Sequence, residues 1–183
     1  MYTKKLLFAL SLLATSFLAH SQTLEKGTWL TGGSLSYLNV SQKDPYTSVS
    51  VSNGAFIGAI NLANMVTSNL AVGVKASYLN SNNIGFGNIG PSVRYFFPNE
   101  KSSKVFLLGD IGFNVGNTIY TSNSKTGYNV GIGLANFLSN YVSIDITGTY
   151  GNSFNTTGVQ QNGSNIGVIA LQVGLQIYLP KKK

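Results

Sequence analysis

The chain has 183 residues, of which 21 are glycine, none is cysteine and only 9% are charged, with a net charge of +7. A soluble domain carries about 25% charged residues, so an ordinary water-facing surface is missing, while a mean hydropathy of +0.13 excludes a bundle of membrane helices. A transmembrane β-barrel fits, because half of its strand residues touch lipid and the other half are small and polar.

Residues 1–21 read as a separate unit. Lys4 and Lys5 make a basic start, Leu6 to Ala19 an apolar stretch, and Ala19-His20-Ser21 offers small residues before a cut. The pattern predicts a secretory signal peptide cleaved before Gln22. The apolar stretch is short of the ~20 residues that a membrane-spanning helix needs. Residues 22–183 then form one barrel domain. Cleavage removes Lys4 and Lys5, leaving ten basic residues against five acidic ones, a net charge of +5. Three of the ten, Lys181 to Lys183, are consecutive. The others are scattered, with no basic stripe interleaved with aromatics, so nucleic acid is not an expected partner. Cleavage also removes His20, the sole histidine.

Eight strand candidates follow. Side chains on a strand alternate between two faces. The first, Thr28 to Val40, puts Trp29, Leu35 and Tyr37 on one face and Gly32, Ser34 and Ser36 on the other. The second, Ser48 to Leu62, changes parity between Val51 and Phe56. Asn53-Gly54 lies between, and a β-bulge there is preferred to a hairpin turn, which would leave two very short strands. The third, Leu70 to Leu79, alternates Val72, Val74 and Tyr78 against Gly73, Lys75 and Ser77. The fourth and fifth form a hairpin, Ile89 to Phe113, around a Pro-, Asn- and Ser-rich turn. Its apolar face carries Val93, Tyr95, Phe97, Val105, Leu107 and Ile111. Arg94 and Asp110 fall on the opposite face. The sixth strand runs from Tyr128 to Ala135 and the seventh from Val142 to Tyr150. The eighth, Ile169 to Leu179, sets Leu171, Val173, Leu175 and Ile177 against Gln172, Gly174, Gln176 and Tyr178.

The connections after strands one, three, five and seven are mostly longer and polar, and those after two, four and six are mostly tighter. This is the asymmetry of an outer-membrane barrel, with both termini on the short-turn, periplasmic side. Two aromatic girdles result on the apolar face, where rings favour the lipid–water boundary. Tyr37, Tyr78, Phe113, Tyr128 and Tyr150 form the outer one, and Trp29, Tyr95 and Phe97 the inner one.

The four charged residues well inside strands, Lys75, Arg94, Asp110 and Asp145, all fall on the small-polar face. A cation facing lipid at mid-membrane costs about 2–4 kcal/mol, which explains the sorting. We expect a charge-balanced network in the lumen at one depth, with Gln172 and Gln176 beside it. An eight-stranded barrel is just wide enough for side chains to fill, so a packing network is the simpler reading. A gated ion or solute path is the functional alternative. A secreted soluble lipocalin-like barrel is a further alternative, but its outer face should be rich in Lys and Glu.

No catalytic chemistry emerges. Gly85-Phe-Gly-Asn-Ile-Gly90 matches a dinucleotide fingerprint, yet Pro91 and an alternating strand follow where a helix N-terminus is needed. With His20 cleaved, no Ser-His-Asp or Cys-His set can form, and no metal-ligand spacing occurs. Neither enzyme activity, metal nor cofactor is expected.

With these strands in hand, the chain resembles the small Gram-negative outer-membrane β-barrels, of the OmpA-like transmembrane-domain kind, over its whole mature length. The last strand carries the nearest thing to a motif. Gln172, Gly174, Leu175 and Ile177 match the terminal strand signal, and Leu179 stands where an aromatic is usual. The resemblance implies recognition by the barrel-assembly machinery and periplasmic chaperones, insertion among outer-membrane lipids, and a structural or surface-interaction role. Outward-acting residues would lie in the loops Ser41–Thr47, Gly116–Ser124 and Asn152–Gly163. No surface ligand is specified by their neutral Asn/Ser/Thr composition.

Overall fold

The computed structural model describes residues 24–43, 50–81, 84–99, 101–115, 125–155 and 167–181. All eight strands are present: β1 (Trp29–Lys43), β2 (Ser50–Met65), β3 (Leu70–Ser81), β4 (Ile84–Phe96), β5 (Ser103–Val115), β6 (Lys125–Ser139), β7 (Val142–Asn155) and β8 (Gly167–Leu179). Each pairs antiparallel with the next, and β1 pairs with β8, closing a barrel in chain order.

The alternation of side chains becomes inside and outside. On β3, Val72, Val74 and Tyr78 are exposed, whereas Ala71 is buried and Lys75 lies in the lumen. On β8, Leu171, Val173 and Leu175 are exposed and Gln172 and Gln176 are buried. The apolar face therefore points outward all round the ring, the arrangement of a transmembrane β-barrel. A lipocalin-like barrel needs that face inside, so this alternative drops out. Arginine on the outward face at mid-height has a defined cost. Ile132→Arg on β6 should lower unfolding stability by about 2–4 kcal/mol, read from urea titrations in phospholipid vesicles. A loss below about 0.5 kcal/mol would mean that this wall faces water.

Two short turns show local chemistry closing hairpins. After β2, Thr67 Oγ1 accepts from the backbone N–H groups of Asn69 (3.2 Å) and Leu70 (3.0 Å). Asn69 Nδ2 donates to the Phe96 carbonyl at 3.0 Å, tying this turn to the next hairpin. Between β4 and β5, Asn99 Oδ1 accepts from Lys101 N and its Nδ2 donates to Ser103 O, both local bonds that Asn offers in turns.

The second strand differs from expectation. It pairs with β1 in constant register from Trp29↔Asn64 to Lys43↔Ser50, with Asn53 opposite Val40 and Gly54 opposite Asn39. No bulge forms there, because β1 runs three residues beyond Val40 and offers backbone partners to the whole of β2. The register shift among the described residues lies instead between Phe137 and Ser139, beside the β6–β7 turn. The strands also outrun their sequence limits. β4 begins at Ile84, so Gly85 to Gly90 is extended ladder and not a phosphate loop. Ser41 to Lys43 belongs to β1 and Asn152 to Asn155 to β7. The rest of the three expected outer loops, and residues 1–21, lie outside the described residues.

Ahead of β1 the chain turns under the barrel. Thr28 N–H donates to Glu25 O, and Gly27, with φ of 91°, donates its N–H to Met65 O at 2.7 Å. Met65 N–H answers to Thr28 O at 2.8 Å. The positive φ is a conformation that glycine adopts without steric cost, and it lets Leu24 reach the buried cluster at the short-turn mouth.

Candidate functional site in the lumen

The interior has two zones. Towards the short turns it is apolar, with Leu24, Leu30, Met65, Phe96, Phe106, Phe137 and Tyr178 buried together. Phe96 and Phe106 pack with ring centroids 5.7 Å apart, and Phe137 and Tyr178 at 4.9 Å. Phe106 pairs across the ladder with Gly133, and its ring fills the space that a side chain there would need. These rings form a stopper across the inner mouth.

Above the stopper the interior is polar and charged. Arg94, on β4, reaches across the lumen to Asp145 on β7, with Nη1 to Oδ2 at 2.6 Å. Asp145 Oδ1 accepts from Ser143 Oγ at 2.7 Å, and Ser143 Oγ lies 3.3 Å from the Tyr178 hydroxyl. The Arg94 guanidinium sits 4.3 Å from the centroid of Phe106 and 5.9 Å from that of Phe96, a cation–π arrangement that joins the ion pair to the stopper. Lys75, on β3, bridges over β4 to Asp110 on β5, with Nζ to Oδ2 at 2.8 Å. Asn129 Nδ2 donates to the same carboxylate oxygen at 3.0 Å.

The two glutamines are held as well. Gln176 and Asn61 exchange amide hydrogen bonds of 2.9 and 3.0 Å. Gln172 accepts from Ser34 Oγ at 3.3 Å and donates to Thr149 Oγ1 at 3.5 Å. A cavity of about 50 Å³ lies among the four charged side chains, Gln172 and Gln176. It has room for water but not for a drug-sized ligand. The expected four-charge cluster is resolved as two separate ion pairs. One crosses the barrel and one stays along its wall. Burial of charge requires such partners, and among the described residues no group of three or more His, Cys, Asp and Glu could hold a metal.

All eight girdle residues, Trp29, Tyr37, Tyr78, Tyr95, Phe97, Phe113, Tyr128 and Tyr150, are exposed on the outward face. Phe56 and Tyr141 join them there, Phe56 packing on Tyr37 with centroids 4.9 Å apart. Gly174 and Leu175 of the terminal-strand pattern sit in β8, where the backbone of Gly33 would lie 2.7 Å from a Cβ on Gly174. The aromatic stopper is not among the features expected from the sequence. Parity places Phe96, Phe106 and Phe137 inward, since their neighbours Tyr95, Phe97, Val105, Leu107 and Leu138 face out. That signal was present in runs that read as uniformly greasy.

No protein-family model matches the chain, and no curated protein matches its sequence. Solved structures do match. The chain is similar to Neisserial surface protein A at 14% identity and a TM-score of 0.57, over 82% of this chain and 96% of that one. It is also similar to the N-terminal β-barrel domain of Pseudomonas aeruginosa OprF, at 9% identity and a TM-score of 0.53, over 87% of this chain and 99% of that domain. At such identities the likeness is one of fold.

Proposed function

We propose that this chain spans the Gram-negative outer membrane as a barrel with a structural or surface-interaction role, its lumen filled by a charge-balanced network. The observation that carries this reading is the sorting of side chains. Large apolar groups face outward on every strand, while Lys75, Arg94, Asp110 and Asp145 each have an oppositely charged partner within 2.8 Å, and Lys104, buried near the short-turn end of β5, donates to the Asn99 carbonyl at 2.6 Å. Membrane lipid is the primary partner. The barrel-assembly machinery and periplasmic chaperones would act on the terminal strand through Gln172, Gly174, Leu175, Ile177 and Leu179. Residues 1–21 would direct export through the inner membrane and be cleaved off in its course.

A small ion or solute channel is the second reading, favoured by the cavity between the two ion pairs. It requires a path past Phe96, Phe106, Phe137 and Tyr178, all buried at the inner mouth. Two measurements test the proposal. Membrane fractionation followed by a detergent gel of boiled and unboiled samples should place the protein in the outer membrane and show a heat-dependent change in mobility. Planar-bilayer recordings of the wild type should stay at background. Recovery in the soluble fraction would overturn the membrane reading, and discrete conductance steps would replace the filled lumen by a pore.

A further inference from the structure

The excess charge of residues 22–183 belongs mostly to one end of the barrel. The lumen charges cancel, Lys75 with Asp110 and Arg94 with Asp145. At the outer end stand Lys43, the last residue of β1, Asp44 next to it in the chain, and Lys125, the first residue of β6. The segments that enter and leave the short-turn end carry six lysines, Lys26, Lys101, Lys104, Lys181, Lys182 and Lys183, against Glu25 and Glu100. The two lumen pairs are the ion pairs among the described residues, so Lys26, Lys101 and Lys181, all exposed, have no acid partner there. The other short turns, residues 66–69 and 140–141, are uncharged.

Within that rim the charge gathers where the first and last strands meet. The Lys181 side chain lies against Gly27, and so beside Lys26. Lys182 and Lys183 follow in the chain, and Glu25 is the one acid of this corner. In the β4–β5 turn, by contrast, Glu100 adjoins Lys101, and Lys104 is buried on the Asn99 carbonyl. A few residues up the strands from Lys26 and Lys181 the wall becomes apolar. Trp29 and Leu179 pair across the seam and are each half exposed, with Ile177 exposed further along β8. Tyr141 is also exposed, and its carbonyl accepts from the Tyr178 N–H at 2.7 Å, which sets it at the flank of β8. Trp and Tyr favour the level of the lipid headgroups, and the two lysines stand on its water side.

We propose that this corner of the inner rim is a docking site for an anionic phospholipid of the periplasmic leaflet. Its phosphate accepts from the ammonium groups of Lys26 and Lys181, and its acyl chains lie on Trp29, Leu179 and Ile177. The pairing of features specifies the ligand. Lysines alone would suit any polyanion and the apolar wall any lipid, whereas both on one corner fit a negative head on an apolar tail. A zwitterionic phospholipid brings its own cation beside the phosphate, which competes with the lysines. Each lysine at a membrane surface strengthens attachment to anionic lipid by about fivefold. The inference rests on the membrane-spanning reading, names the lipid class that it leaves open, and can fail while that reading stands.

Photolabelling of the protein folded in phosphatidylcholine vesicles tests the site. The probes are phosphatidylglycerol and phosphatidylcholine, each with a diazirine near the head of one acyl chain and each added in trace amount. Labelling of residues 29, 141 and 177–179 should be about tenfold greater with the phosphatidylglycerol probe, a preference of about 1.4 kcal/mol. Lys26→Gln with Lys181→Gln should cut that preference to about twofold or less. Lys43→Gln with Lys125→Gln removes the same charge from the outer end and should leave the preference unchanged. Salt at about 1 M, which shortens the screening length to about 3 Å, should abolish it in the wild type. Equal labelling by the two probes would overturn the anionic ligand, and so would a preference indifferent to salt. A preference unchanged in the Lys26/Lys181 variant, or lost equally in the Lys43/Lys125 variant, would overturn the site. Retained heat-dependent mobility in any of these cases separates its failure from that of the membrane reading.

Discussion

Arg94→Ala should be the most damaging single truncation in the lumen, lowering unfolding stability by about 3–5 kcal/mol. The loss follows from what is left behind. Asp145 is 3% exposed, and Ser143 alone would not replace the cation across the barrel. Replacing both partners with apolar groups of similar volume, Arg94→Met with Asp145→Leu, should restore most of the stability, because the desolvation cost of both charges is then removed as well. Lys75→Ala should cost less, since Asp110 keeps the Asn129 amide and is better hydrated. Urea midpoints in detergent micelles give all three values. If Arg94→Ala costs under about 1 kcal/mol, the pair behaves like an exposed one and water, not burial, fills the lumen.

The second large effect is expected at Phe106. Phe106→Ala empties the centre of the stopper and should cost about 3–5 kcal/mol. Its ring is fully buried, packs on Phe96 and lies under the Arg94 guanidinium. A double-mutant cycle with Arg94→Ala isolates the ring–cation contact, and a coupling of about 0.5–2 kcal/mol is expected. Additive losses would mean that stopper and ion pair are independent, and that Arg94 is positioned by Asp145 alone.

Much of this fold could be read from the chain because the strand period is two, and the charges mark which face avoids lipid. Lys75, Arg94, Asp110 and Asp145 share the inner face in the sequence and in the structure. Parity gives the face of a residue but not its partner across the lumen. Arg94 meets Asp145, three strands away, and that pairing depends on barrel diameter and strand stagger. The second strand misled for a related reason. A change of hydrophobic parity between Val51 and Phe56 reads as a bulge when both segments must lie in apolar surroundings. The ladder with β1 keeps one register through both.

The stopper was hidden by its composition. Tyr95-Phe96-Phe97 contains two outward rings and one inward ring, and hydrophobicity alone does not separate them. What separates them is volume. Phe106 fits because Gly133 opposite leaves room for it, a relation between residues 27 positions apart.

The turn ahead of β1 has a consequence for chain connectivity. Gly27 bonds to Met65 at the inner rim, and the Lys181 side chain lies beside it, 3.4 Å from where a Cβ on Gly27 would stand. The entrance and exit of the barrel are therefore neighbours on one rim, as in domains that tolerate circular permutation. A short linker from Lys181 to Leu24, with new ends cut between Ser81 and Ile84, would leave every strand pair as it stands. The order of the strands around the ring is thus a property of the closed wall, and the place where the polypeptide begins is interchangeable with other points on its edge.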